Sequence, residues 1–333
     1  MRATNWNLSE DYVNIFWRQN VAQFWTEEEF PVSKDIAAWA ALSPAEQDVY
    51  KRVLAGLTGL DTLQGTEGMP LLATHVEDGR KQAVLTFMAM MEGVHAKSYS
   101  HIFTTLISSA ETDRLLSEWV PNQPHLVYKA DRISRYYRAL LQPQPSRLQI
   151  YMACVASVLL ESFLFYSGFY YPLYLAGQGR MTTSGEIIRK ILLDESIHGV
   201  FVGMLAQELY GQMTEIDRAE AAERTETLLD DLYRNEVDYT TEIYGQLGEE
   251  RVADVLRYVE YNANKALMNL GLEPAFAPEP FSSIVENGLD TGTSHHDFFS
   301  RKGDGYVMAL NVEPMRDEDF IFGECAKERG HHE

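Results

Sequence analysis

The chain is poor in cysteine, in positive charge and in β alternation, and each shortage removes a class of explanation. Only two cysteines occur in 333 residues, Cys154 in an apolar stretch and Cys325 near the end. Two are too few for a disulfide framework or a thiolate metal site, and they suit a reducing, cytoplasmic setting. Lys and Arg number 28 against 49 Asp and Glu, for a net charge of −21. A surface that negative disfavours nucleic acid and anionic membranes as partners. The opening residues, Met1-Arg2-Ala3-Thr4-Asn5-Trp6-Asn7, have no apolar run of the kind a secretory signal needs. One stretch, 153–177, is apolar and long enough to imitate a membrane span. Its Glu161, its Pro172 and several tyrosines point instead to a buried core helix.

What the chain does have is helical periodicity, sustained over most of its length, and the expected class is all-α. The expected helices cover about 9–24, 44–68, 79–109, 111–121, 127–141, 146–177, 183–211, 214–246 and 249–270. Their punctuation is local: Ser43-Pro44 opens one, Gln142-Pro143-Gln144-Pro145 separates two, and Thr182-Thr183-Ser184 leads into another. Helices this long fit a large bundle. Pro274, Pro278 and Pro280 come close together, after which Ser, Thr, Gly and Asn become frequent. The expected organisation is therefore a helical bundle over 1–275 and an extended or disordered tail over 276–333. Near the end of that tail, Glu313 to Phe322 sets acidic residues beside two phenylalanines, as a peptide that orders on docking would; a solubilising tail has the same composition.

The chemistry lies in a repeated spacing. Glu92-Gly-Val-His95 and Glu195-Ser-Ile-His198 both sit in apolar helical sequence. Residues three apart on a helix share a face, so each motif aims a carboxylate and an imidazole at one spot. Dinuclear carboxylate sites in helical bundles add one acid from each of two further helices. Asp61 is the acid of the otherwise uncharged run 56–64, and Glu161 is the sole charged residue between Arg147 and Arg180. A lone ionised carboxylate in such surroundings costs several kcal/mol unless a cation or hydrogen bonds compensate it. Either acid alone could be a buried group bonded to a tyrosine, serine or lysine. The order acid, Glu-x-x-His, acid, Glu-x-x-His across four helices is what a dinuclear bundle requires. A third copy, Glu328-Arg-Gly-His331, lies in the polar tail and receives no role. Oxygen and nitrogen ligands without cysteine suit Mn(II) or Fe(II). Tyr99 follows His95 by one helical turn on the ligand stripe, where it could be a redox group or a packing residue.

These segments resemble a known family. The runs 60–65, 87–100, 160–169 and 194–199 look like the small, radical-generating subunit of class Ib ribonucleotide reductase, and His95-Ala-Lys-Ser-Tyr99 is its most specific signature. The resemblance extends from Asn5-Trp6-Asn7 to Asp317-Glu318-Asp319-Phe320. It implies a ferritin-like bundle, a homodimer, and a centre of two Mn or two Fe ions per chain. Asp61, Glu92 and His95 would hold the ion nearer the radical, Glu161, Glu195 and His198 the other, with Glu92 and Glu195 able to bridge. Tyr99 would store the radical, and His95, Asp194 and Trp25 would carry it outward. Tyr306, the only tyrosine after Tyr261, would relay it in the tail. The resemblance also implies two partners, a large catalytic subunit that reduces the ribonucleotide and a flavodoxin-like activating protein that delivers an oxidant to a dimanganese centre. Read without it, Trp25 is a core tryptophan. Leu193 stands where the family commonly has Arg, and residues 323–333 run past the usual end of the tail.

Two other functions use the same ligand pattern. A ferritin-like iron-storage protein would need a cage-forming helix set and no docking tail. A di-metal oxidase acting on an apolar substrate would use Phe163, Phe165 and Phe169 as pocket walls, though such aromatics are ordinarily core.

Overall fold

The computed structural model describes residues 3–7 and 11–289. Thirteen α-helices run through the described residues, and none of these residues forms a strand. In chain order they are α1 (Tyr12–Ala22), α2 (Ile36–Ala40), α3 (Pro44–Leu63), α4 (Met69–Thr74), α5 (Gly79–Leu106), α6 (Ser109–Asp113) and α7 (Pro124–Arg138). Next come α8 (Arg147–Leu159), α9 (Tyr166–Gly177), α10 (Thr182–Gly211), α11 (Glu215–Tyr244), α12 (Glu249–Asn269) and α13 (Ser283–Leu289). Helices α3, α5, α8 with α9, and α10 pack on one another at the centre of the bundle. The stretch from Arg147 to Gly177 is long and apolar enough to cross a membrane, yet 83% of its most apolar window is buried inside the bundle. It is the core helix that Glu161 and Pro172 led us to expect.

Local chemistry starts several of these helices. Ser43 Oγ accepts from the Glu46 amide while Glu46 Oε2 accepts from the Ser43 amide at 2.7 Å, a reciprocal cap that Pro44 extends as the first helical residue. Ser146 and Gln149 repeat the device at α8. Helix α10 is started from a distance. Asp35 accepts from the amides of Thr183 and Ser184 at 3.1 and 2.7 Å and from Ser184 Oγ at 2.7 Å, satisfying donors that would otherwise be orphaned at a buried helix end.

Three departures from α geometry interrupt the long helices as π-turns, at Gln64–Gly68, Arg114–Trp119 and Leu160–Leu164. A π-turn inserts one residue and rotates the rest of the helix relative to the part before it, and such turns gather at functional sites. Two of the three carry residues of the candidate site. Gly168 lets α9 approach α3, because a Cβ there would lie 2.7 Å from Leu57.

The chain does not leave the bundle at residue 275. Phe281 packs on Tyr258 and Tyr261 with ring centroids 4.9 and 5.4 Å away, and α13 lies on α9, where Arg189 donates to the Gly288 carbonyl at 2.8 Å. The expected tail beyond it, with Tyr306, Cys325, the acidic segment 313–322 and the third Glu-x-x-His, lies outside the described residues.

Candidate metal centre

Four helical segments bring six ionisable side chains to one place. Asp61 comes from the last turn of α3, Glu92 and His95 from α5, Glu161 from the π-turn that joins α8 to α9, and Glu195 and His198 from α10. All six are fully buried. They form two overlapping groups, Asp61 with Glu92, His95 and Glu195, and Glu161 with Glu92, Glu195 and His198; within each, one ligand atom per residue lies within 4.8 Å of the others. Glu92 and Glu195 belong to both.

The orientation of these groups is unlike that of an ordinary polar core. Both oxygens of Asp61, Glu92 and Glu195, Oε2 of Glu161, and Nδ1 of His95 and of His198 are buried without a hydrogen-bond partner. They approach one another closely all the same. His95 Nδ1 is 2.9 Å from Glu195 Oε1, and His198 Nδ1 is 2.9 Å from Glu92 Oε1, without hydrogen-bond alignment. Unsatisfied buried polar atoms cost roughly 1–3 kcal/mol each, and one bundle would not collect so many around a point unless something else occupied it. Four carboxylates and two neutral imidazoles match in charge two divalent cations, and their hard oxygen and nitrogen atoms suit manganese or iron.

Left to itself, the cluster shares protons. Burial first, then the charges of Glu92 and Glu195, push the Asp61 carboxyl well above its usual range, and burial with the charges of Glu195 and Glu92 does the same to Glu161. Burial also works against ionising Glu195, but contact with Glu161 and the two imidazoles holds its carboxyl below the ordinary range. For His95 and His198 burial opposes protonation, and the surrounding carboxylates overcome it, so both imidazoles bind protons well above the usual histidine range. A cation would displace these protons.

The surroundings of the cluster hold its members in place. On one side, His95 Nε2 lies 3.1 Å from Asp194 Oδ2, and that oxygen also accepts from Trp25 Nε1 at 2.7 Å. Trp25 is buried and stacks on the His95 ring, 6.0 Å between centroids and 19° between planes. Gln23 Nε2 donates to the other Asp194 oxygen at 2.7 Å. Trp25, Asp194 and His95, grouped by resemblance alone from the sequence, are thus connected by hydrogen bonds; Gln23 was not anticipated. On the other side, Gln64 Nε2 donates to Glu161 Oε1 at 2.5 Å and to Ser157 Oγ at 2.8 Å, and Tyr137 OH donates to Gln64 Oε1 at 2.6 Å. Nothing in helical spacing pointed to Tyr137 or Ser157. A polar residue three after Asp61 in an apolar run was the one available hint for Gln64.

Tyr99 lies one turn beyond His95 on α5, fully buried, with its hydroxyl unpartnered. Burial raises its pKa well above the usual tyrosine value, and Asp61 contributes most among the charged neighbours. Phe163, Phe165 and Phe169 are fully buried core side chains.

Comparison with known proteins agrees with this geometry. Residues 3–282 match the family model described as ribonucleotide reductase, small chain. The chain is 52% identical over 322 residues to the ribonucleoside-diphosphate reductase subunit beta of Bacillus subtilis, covering 96% of each protein. It is 50% identical to the subunit of the same name from Bacillus phage SPbeta, covering 97% of each. Among solved structures it resembles the dimanganese(II) NrdF of Streptococcus sanguinis, with a TM-score of 0.81 and 38% identity, over 87% of this chain and 100% of the other.

Proposed function

The chain belongs to the ribonucleotide reductase small-chain family, and from that premise we propose the roles of its buried residues. It is the small subunit of a ribonucleoside-diphosphate reductase of the class Ib type, an oxidoreductase component that works with a large subunit. A dinuclear manganese or iron centre fits the cluster, as the charge balance and the hard ligand atoms require. When bound, that centre supplies the one-electron oxidation that leaves a tyrosyl radical.

In the proposed arrangement Asp61, Glu92 and His95 hold one ion, Glu161, Glu195 and His198 the other, and Glu92 and Glu195 bridge. The observation that carries this reading is the set of unpartnered oxygens and Nδ1 atoms converging at the two overlapping groups. Tyr99 is the residue that gives up an electron and its phenolic proton. Its hydroxyl has no competing hydrogen bond, and Asp61 is the charged neighbour that acts most strongly on it, so that carboxylate is placed to take the proton. Full burial keeps water from the ring, which lengthens the life of a radical. The line His95, Asp194, Trp25 is the outward route, supported by its 3.1 and 2.7 Å contacts, and Tyr306 would continue it in a tail, beyond the described residues, that docks to the large subunit.

A homodimer is part of the same proposal. Val21, Phe24 and Met90 are about half exposed on the outer side of α1 and α5, with Trp17 and Phe87 behind them at ring distances of 6.0 and 6.3 Å in the chain Trp17, Phe87, Phe24. An apolar face of that kind is ordinarily covered. The cytoplasm, and a flavodoxin-like activating partner where manganese is used, complete the proposal.

The test is electron paramagnetic resonance of protein loaded anaerobically with Fe(II) and then exposed to oxygen. Wild-type protein should give a tyrosyl signal, and Tyr99→Phe should give none while binding the same amount of metal. A signal retained in Tyr99→Phe would move the radical to another tyrosine. Metal uptake with no signal in either protein would return the chain to the oxidase or storage readings.

A further inference from the structure

The two π-turns at the site meet through one side chain. Gln64 is the first residue of the turn Gln64–Gly68, and Glu161 lies in the turn Leu160–Leu164. The Gln64 amide uses its full set of partners. Its oxygen accepts from Tyr137 OH, and its nitrogen donates to Ser157 Oγ and to Glu161 Oε1. The ionised Glu161 carboxylate can only accept, so it takes the NH2 side of the amide and leaves the oxygen to the Tyr137 hydroxyl, which donates to it. Glu161 is left with one oxygen held by an amide and the other, Oε2, buried and unpartnered toward the cluster, 3.5 Å from His198 Nδ1.

The glycines of the first turn are what make room for this. A Cβ at Gly68 would stand 2.2 Å from Gln64 Oε1 and 2.9 Å from the Tyr137 ring, and one at Gly65 would stand 2.9 Å from Glu92 Cβ and 3.2 Å from the Ala89 carbonyl. The turn therefore passes close to α5 at the bridging glutamate and still has space for the Gln64 amide.

We propose that Gln64 is a positioning residue that restricts Glu161 to a single metal-binding oxygen, with Tyr137 holding the far side of the Gln64 amide in place. The inference rests on the dinuclear reading of the cluster. Held in this way, Glu161 would offer its ion Oε2 while Oε1 stays on Gln64, and that ion would keep a position that a chelating carboxylate would fill, the property that separates reactive metal sites from closed structural ones. No amide tethers Asp61 in the same way.

The experiment is an anaerobic Mn(II) titration of full-length wild-type, Gln64→Leu and Tyr137→Phe proteins, counting free Mn(II) by electron paramagnetic resonance and recording the spectrum of the bound ions. Wild type should take up two ions. Gln64→Leu should keep one affinity and weaken the other by about ten- to a hundredfold, the usual effect of removing a partner that orients a ligand, with an altered spectrum of the bound pair. Tyr137→Phe should change the same site in the same direction by less. Uptake of fewer than two ions by wild type would defeat the dinuclear reading itself. Two ions in wild type, with unchanged affinities and spectrum in both variants, would overturn the role of Gln64 alone. Equal weakening at both sites with a lowered melting temperature would also overturn it, by reducing Gln64 to a packing residue. If Gln64→Leu does not fold, Tyr137→Phe, which removes one hydroxyl, decides by the same criteria.

Discussion

Two of the places where this bundle buries charge are solved differently. Between α7 and α11, Lys129 and Glu236 are both buried, with Lys129 Nζ 2.7 Å from Glu236 Oε2 and 3.8 Å from the centre of the Tyr239 ring. The second Glu236 oxygen accepts from Ser167 Oγ. Each charge has its partners within the protein, and burial lowers the pKa of Lys129 against the pull of Glu236. At the centre of the bundle, four carboxylates and two imidazoles face one another with most of their inward atoms unpartnered. The first arrangement is complete as it stands. The second is complete only with cations.

That contrast sets how each place should respond to mutation and to metal. Lys129→Ala leaves Glu236 buried and uncompensated, and should lower unfolding free energy by about 3–5 kcal/mol in urea titrations, with two-ion uptake by the folded protein unchanged. Loss of metal binding in that variant would mean that the two places are coupled. Saturating the wild-type protein with Mn(II) should act in the opposite direction. At a hundredfold excess over Kd it should add about 2.7 kcal/mol per independent site, seen as a rise in melting temperature that a chelator reverses. Glu161→Leu replaces a half-satisfied carboxyl, one oxygen on Gln64 and the other unpartnered, by an apolar side chain, so the stability of the metal-free protein should change by no more than about 1–3 kcal/mol while one of two ions is lost. A larger destabilisation of the metal-free form would show that the second Glu161 oxygen is satisfied within the protein as well.

The pH dependence has a definite sign. In the metal-free protein Asp61, Glu161, His95 and His198 all bind protons more tightly folded than unfolded. Their contribution is fully present below the unfolded pKa values and is lost as pH rises through the folded ones. Glu195 runs the other way, with stability present above its unfolded pKa and lost only in acid. Between about pH 5 and 8 the melting temperature of the metal-free form should therefore fall, while Mn(II) affinity rises because binding releases protons. A flat metal affinity over that range would mean that the cluster holds no displaceable protons. The smallest effect belongs to Tyr99→Phe. It removes a hydroxyl that has no partner, and should change stability by no more than about 1 kcal/mol.

Much of the central site could be read from spacing, because its essential geometry is helical and local. Glu92 with His95, and Glu195 with His198, follow from residues three apart, and Asp61 and Glu161 stood out as acids without charged neighbours. The nine expected helices correspond to α1, α3 with the π-turn after it, α5, α6 with its π-turn, α7, α8 with α9, α10, α11 and α12, within a few residues at most ends, while the short α2, α4 and α13 were not expected. What escaped was non-local or aperiodic. A π-turn leaves no mark on a 3.6-residue pattern, and although Gln64 follows Asp61 by three, its partner Tyr137 reaches it from α7, a separate part of the chain. Asp35 caps a helix that begins at Thr182, a pairing no local motif announces. The segment 276–289 looked like tail because Pro and Ser are frequent there, yet Phe281 and Val285 supply enough apolar contact to pack it on the bundle.

The central claim is that the unpartnered atoms mark two cation positions, and anomalous scattering from crystals equilibrated with Mn(II) tests it most directly. The account predicts two peaks per chain about 3.5–4 Å apart, as in other two-metal sites, one against Asp61, Glu92 and His95 and the other against Glu161, Glu195 and His198. A cluster without peaks, its carboxyls held together by protons at saturating Mn(II), would contradict it.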